Sequence, residues 1–379
     1  MVSTALPDTG PDADPAATAA PDPATEPATE PATEPVRFGV VGAGFIAQWF
    51  AEAVAQEPAA RIVAVASARP ERARDFAQRH GVPHAHAGFD EMLHAHGPSS
   101  ADPIDVVYIA SPNALHAAQA IASLEAGFHV LVEKPFALSP IEAKAMVESA
   151  RAAGRFLMEA WLPAFEPGVA RLREVLPRLG RVHRAVLVKE QFSSRMEAYR
   201  AGRLPAVLDP AQGGGSLMDL GIYPVNLAIH LFGTPDRVTA TGQLLDSGAD
   251  SHGTVVLSYE HGPHRGLEVV CLHSKTSVGA IDSVIAAEQA AVVIDDCQWP
   301  RRIELRGPRG QEPRALLEDL SVRRRGPQLA YKLAEVCRLV GSGAHQAGLH
   351  PLYASLAAVD VLSQARAQVG IRFPEDLQA

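Results

Sequence analysis

After 35 residues, the apolar run Val36-Arg37-Phe38-Gly39-Val40-Val41 meets Gly42-Ala43-Gly44-Phe45-Ile46-Ala47, and a helical stretch from Gln48 to Gln56 follows. Strand, glycine turn and helix in this order constrain the fold more than any other feature of the chain. Gly42 permits the tight turn, Gly44 lets the backbone approach a pyrophosphate, and Ala47 in the third place lets the helix pack closely on the strand. Phosphates then rest on the unpaired N–H groups of the helix start, around Phe45 and Ile46, where the helix dipole favours negative charge. The turn predicts a dinucleotide-binding domain that opens at its first strand.

The next strand, Arg61 to Ala66, ends in Ser67-Ala68-Arg69-Pro70. An NAD enzyme places an Asp or Glu near this point for the ribose 2′-hydroxyl, and none stands here. Ser67 can donate to a 2′-phosphate, and Arg69 or Arg72 can pair with it, which favours NADP over NAD. The alternative is that both arginines only solvate the start of the helix from Glu71 to His80. A central strand from Ile104 to Ala110 leads into Ser111-Pro112-Asn113-Ala114-Leu115-His116, and a helix from there runs to Ala126, with Gly127 as its cap. Phe128 to Val132 is a short buried strand that delivers Glu133-Lys134-Pro135. Strands alternating with helices predict an α/β domain with a doubly wound parallel sheet, in which ligands bind at the C-terminal strand ends. Gly42, Ser67, Ser111 and Lys134 all follow strand ends and should line one edge, with Asn113, His116 and Glu133 beside them.

A helix from Pro140 to Ala153 and a strand from Phe156 to Met158 close this first domain, expected over residues 36–158. Beyond it the periodicity shifts to strands with few helices between them: Val182 to Gln191, Val238 to Gln243, Thr254 to Tyr259, Arg265 to Cys271, Ala291 to Ile294 and Arg302 to Leu305. That pattern predicts an α+β domain over 159–379 with a largely antiparallel, open-faced sheet, closed by helices at Leu329 to Val340 and Pro351 to Val369. Within it, Gly213-Gly214-Gly215 precedes Asp219 and Tyr223, which stand four apart and share one face of a regular helix. Tyr223 could equally be a core aromatic and Asp219 an acid stabilised by the helix dipole.

Composition excludes several function classes. Residues 1–35 are Ala, Pro, Thr, Asp and Glu with Ala-Thr-Glu-Pro recurring, and are expected to be a disordered tail. This tail holds seven acids and no Lys or Arg, so most of the formal charge of −9 belongs to it. No basic face remains for nucleic acid. No apolar run is long enough to span a membrane and no secretory signal opens the chain, so no membrane role and a cytoplasmic home are expected. Cys271, Cys297 and Cys337 show neither CxxC nor Cys/His spacing, and no metal site is expected. Tyr331 with Glu335 is expected to be structural, and Arg323 to Arg325 a solvated loop.

Gly42 to Ala47, Ser111-Pro112-Asn113 with His116, Val132-Glu133-Lys134-Pro135 and the run from Gly213 to Tyr223 together resemble the Gfo/Idh/MocA oxidoreductases, in that family's order and at its separations. The resemblance covers about residues 36 to 375. It implies a Rossmann domain plus an open-faced sheet domain that mediates oligomers, dimers or tetramers, and a functional lysine at Lys134. Asp219 followed by Tyr223, with Met158-Glu159-Ala160, is similar to the branch of dimeric dihydrodiol dehydrogenases and NADP-dependent xylose dehydrogenases. In the run Trp161 to Pro167, Leu162 and Ala164 stand where that branch has tryptophan and arginine, so the substrate is open to differ. The implied activity is hydride transfer between NADP and a hydroxyl or carbonyl of a sugar, polyol or cyclic diol. Tyr223 is the expected acid/base, its pKa lowered by the ammonium of Lys134, and Asp219 is expected to orient Lys134 or the substrate hydroxyls. A transhydrogenase with tightly held NADP and a non-catalytic NADP-sensing protein are the alternatives.

Overall fold

A computed structural model describes residues 34–307 and 316–377. The expected tail therefore lies, up to Thr33, outside the described residues. The first sheet is built from β1 (Val36–Val41), β2 (Ala60–Ala66), β3 (His84–His86), β4 (Val106–Ile109), β5 (His129–Val132) and β6 (Leu157–Glu159). The intervening helices are α1 (Phe45–Val54), α2 (Pro70–His80), α3 (Phe89–Ala95), α4 (His116–Glu125) and α5 (Pro140–Ala153). All pairings are parallel and the strand order is β3-β2-β1-β4-β5-β6, the doubly wound arrangement. Its strands are apolar on both faces because helices cover both; Val63, Val65, Val106, Tyr108, Val130 and Leu131 have no exposed surface.

Local chemistry sets the helix ends. Ser139 and Glu142 form a reciprocal capping box at the start of α5, where Pro140 occupies the first turn, and Gly154 ends the helix in the left-handed region. Pro70 and Gly81 do the same for α2.

The chain continues through α6 (Pro167–Val175), β7 (Val182–Glu190), α7 (Met196–Arg200) and α8 (Ile222–Phe232) into β8 (Arg237–Leu244), β9 (Asp250–Ser258), β10 (Glu268–Ser274), β11 (Ser283–Ala287), β12 (Ala291–Ile294), β13 (Ile303–Arg306) and β14 (Leu316–Asp319). These strands form one eight-stranded sheet, ordered β14-β13-β12-β11-β7-β10-β9-β8. It is antiparallel except at its centre, where β7 and β10 run parallel. The alternation Ala185, Leu187 on β7 and Val269, Cys271 on β10 buries one face, against which α8 packs. The other face presents Val186, Val256, Val270 and Val284 partly exposed. Strand β11, not expected from the sequence, completes the row between β7 and β12. The last helices are α9 (Ala330–Gly341) and α10 (Leu352–Val369). Helix α10 packs on both β8 and α5, which ties the two sheets together. No helix among the described residues is long and apolar enough to cross a membrane.

Candidate active site

The C-terminal ends of β1, β2, β4 and β5 lie on one edge of the parallel sheet. At the end of β1, Gly42 has φ +101°, and a Cβ there would overlap the Ala110 carbonyl, so only glycine fits. Gly44 differs: its φ is −83°, and a Cβ would meet nothing within 4 Å. Packing within the protein does not require glycine at 44. The open space fits a ligand that approaches the backbone closely. Helix α1 starts at Phe45 with no side-chain cap, which leaves the N–H groups of its first turn, with Phe45 and Ile46, to serve an anion. Ser67 accepts a hydrogen bond from Arg69 N at 3.2 Å, and the side chains of Arg69 and Arg72 are exposed, with no ion pair among the described residues. This edge fits a dinucleotide.

Ser111 donates to Gln119 at 2.6 Å, and Asn113 donates to the Gly213 carbonyl at 2.8 Å, a tie between the two halves of the chain. Two of the expected site residues face inward. His116 is buried with its ring nitrogens 2.9 and 3.1 Å from the carbonyls of Pro135 and Ser111, and burial lowers its pKa. It braces the turn from inside. Glu133 is likewise buried; it accepts from Tyr108 at 2.7 Å and from Lys332 at 3.0 Å. Burial favours its neutral form, but the Lys332 ammonium and the Tyr108 hydroxyl outweigh that and keep its pKa below the usual glutamate value. Successive residues after β5 point opposite ways, so Glu133 faces the core and Lys134 the site.

Lys134 meets the second sheet. Its Nζ donates to Asp219 Oδ1 at 2.7 Å and to the Asp219 carbonyl at 2.9 Å, and lies 5.0 Å from the centre of the Tyr223 ring. Asp219 and Tyr223 do not sit on a regular helical turn as expected. Residues Leu217–Gly221 form a π-turn that leads into α8. Such wide turns recur at functional sites because they re-aim side chains. Gly215, at φ +135°, packs against Asp250, whose carboxylate accepts from Leu217 N at 2.7 Å and so fixes the turn's start.

Lys275, Lys189 and Asp296 were not anticipated. Lys275 donates to Asp219 Oδ2, so one carboxylate bridges two ammonium groups. Lys189 is held by both oxygens of Asp296 at 3.0 and 2.8 Å and stands 5.7 Å from the centre of the Tyr223 ring. Because β7 and β10 are parallel, Lys189 near the end of one and Lys275 just past the end of the other reach the same edge. Lys189 had a readable signal, as it continues the inward alternation of Ala185 and Leu187. Lys275 had none, since the expected strand stopped at Cys271.

Electrostatics correct one further point. Burial pushes the Tyr223 hydroxyl above the usual tyrosine value; Lys134 opposes this, while Asp219, Glu133 and Asp296 add to it. The ammonium of Lys134 does not win because its charge is already shared with Asp219. Burial would raise the pKa of Asp219, yet Lys134 and Lys275 hold it well below the carboxylate range. Leu162 and Ala164 are both buried, so that loop brings no cation to the site. Arg324, expected in a solvated loop, instead pairs with buried Glu166 at 3.2 Å. Cys271, Cys297 and Cys337 are free and buried.

The same architecture occurs in known proteins. Residues 36–160 match an oxidoreductase family with an NAD-binding Rossmann fold, and residues 171–284 match the GFO/IDH/MocA C-terminal domain. The chain is 36% identical over 341 residues to a scyllo-inositol 2-dehydrogenase (NADP(+)) of Bacillus subtilis (strain 168), covering 90% of this chain and 99% of the relative. It is 30% identical over 348 residues to a trans-1,2-dihydrobenzene-1,2-diol dehydrogenase of Bos taurus, covering 90% and 99%. A crystallised 3-ketoreductase of Actinomadura kijaniata in complex with NADP and TDP-benzene shares the fold, with a TM-score of 0.76 at 22% identity over 89% of this chain and 98% of that one. The chain thus belongs to the Gfo/Idh/MocA family and is an NAD(P)-dependent oxidoreductase acting on CH–OH groups.

Proposed function

We propose that the enzyme interconverts a hydroxyl and a carbonyl of a cyclic polyol, sugar or related diol, with NADP preferred over NAD. The observation that carries this is the Lys134–Asp219–Lys275 cluster packed beside Tyr223, at the strand edge where Gly44 leaves room for a dinucleotide. Bound NADP(H) accepts or supplies the hydride. Tyr223 gives a proton to the carbonyl oxygen in reduction and takes one from the hydroxyl in oxidation. Its raised pKa keeps the proton in place at neutral pH, which suits reduction directly. Lys134 supplies positive charge where the oxygen becomes negative, and Asp219 fixes its position. Ser67, Arg69 and Arg72 support the 2′-phosphate of NADP. The relatives that act on scyllo-inositol and trans-dihydrodiols support ring hydroxyls as the target. Assembly into a dimer or tetramer is proposed through the open face of the eight-stranded sheet.

The test is a turnover screen of inositols, aldoses and trans-diols with NADP+ and NAD+, using the wild type, Lys134→Ala and Tyr223→Phe. A substrate should appear that is oxidised faster with NADP+, and each variant should lose at least about 100-fold in kcat. Full activity in both variants, or no substrate at all, overturns the proposal.

A further inference from the structure

Phe45 opens α1 beside Gly44, and 67% of its surface is exposed. A single exposed apolar ring is ordinary on a surface, but this one stands beside the glycine turn that fits a dinucleotide. From Phe45 an aromatic ladder runs into the second half of the chain. Its ring packs on Trp49, one turn later, with centroids 4.4 Å apart. Trp49 in turn packs on Trp299 at 5.6 Å. Trp299 belongs to the turn between β12 and β13, and its indole Nε1 is buried without a hydrogen-bond partner. A buried donor left unpaired is costly, and the described protein residues offer it no acceptor. The backbone N–H of Trp299 donates to Asp296 at 3.3 Å, and Asp296 is the carboxylate that holds Lys189 beside Tyr223. One chain of contacts therefore links the glycine turn to the proton-transfer residue.

We propose that Phe45, Trp49 and Trp299 form a clasp for the bound nicotinamide dinucleotide, in which Phe45 gives the apolar cover and Trp299 anchors it to the turn that positions Lys189. The clasp slows cofactor release. This rests on the proposed NADP binding, and Trp49 and Trp299 are added to the residues that serve it.

The experiment follows NADPH binding and displacement by stopped-flow energy transfer from tryptophan to the reduced nicotinamide, with no substrate present. Phe45→Ser changes an exposed side chain and should leave the thermal midpoint unaltered while speeding NADPH release about tenfold or more. Trp299→Phe keeps a ring in the ladder but removes the N–H, and should speed release by a smaller factor. In the double variant Trp49→Phe/Trp299→Phe most of the energy transfer should vanish, since only Trp161, buried elsewhere in the core, remains. NADPH that binds normally and leaves both Phe45→Ser and Trp299→Phe at the wild-type rate overturns the clasp. Wild-type protein that binds no NADPH overturns the cofactor assignment itself, a separate result read in the same titration.

Discussion

Tyr223 and the two glycines of the first turn carry the sharpest expectations at the scale of single residues. Because burial holds the Tyr223 hydroxyl above its usual pKa, the base form is scarce at neutral pH and grows as pH rises. Alcohol oxidation should therefore accelerate with pH through the alkaline range, while carbonyl reduction stays flat near neutrality and falls only as the proton is lost. Profiles of kcat/KM in both directions check this, and an oxidation rate that falls above neutral pH contradicts it. Gly42 and Gly44 separate folding from binding. Gly42→Ala places a side chain at φ +101° against the Ala110 carbonyl and should cost about 1–3 kcal/mol of stability. Gly44→Ala meets no neighbour, so its denaturation midpoint should match the wild type while NADPH affinity drops at least about tenfold. Calorimetry and fluorescence titration of both variants decide the point.

At the scale of elements, the end of β5 is held from behind by α9. Lys332 is 1% exposed and its ammonium meets Glu133 at 3.0 Å and the Ala160 carbonyl at 3.3 Å. Removing one partner of a buried pair leaves the other charge uncompensated. Lys332→Met should destabilise the protein by about 3–5 kcal/mol, and the double variant Lys332→Met/Glu133→Gln should recover part of that loss. A denaturant series on both variants tests it. The same element logic explains why Lys134 is so well placed: with Glu133 pinned inward, the next side chain has no choice but to face the π-turn and Asp219.

For the whole molecule, two properties extend beyond any one element. Glu166 stands just before α6, is buried, and has its pKa pushed up to about 7 by burial, with Arg324 only partly opposing. The folded state then keeps a proton that the unfolded chain releases near its ordinary pKa of about 4.3. Stability from this group is complete below that value and is lost as pH rises through about 7. Glu166→Gln should therefore gain about 2 kcal/mol relative to wild type on going from pH 5 to pH 8, measured by urea unfolding at each pH; a constant difference rejects the idea. The second property is the open sheet face, where Val256, Val270, Val186 and Val284 stand in register across β9, β10, β7 and β11. For the proposed assembly, light scattering should give a multiple of 40.2 kDa, and Val270→Asp should lower it while the monomer stays folded.

The sequence by itself determined the two kinds of sheet and the strand edge that carries the glycine turn, while the pairing of Lys134 with the later Asp219 and Tyr223 was implied only by the family resemblance and made by tertiary contact. The sheets and the edge are local: apolar runs, glycine turns and caps are written in neighbouring residues. Only tertiary structure decided the charges around Tyr223 and the one behind Glu133. Lys189, Lys275, Asp296 and Lys332 come from distant strands and a late helix, and no local pattern marks which lysine of many reaches a given carboxylate. The same holds for the inward turn of Glu133 and His116, and for the π-turn that replaced a regular helix. A pKa depends on burial and on every nearby charge, and both exist only once the chain has folded.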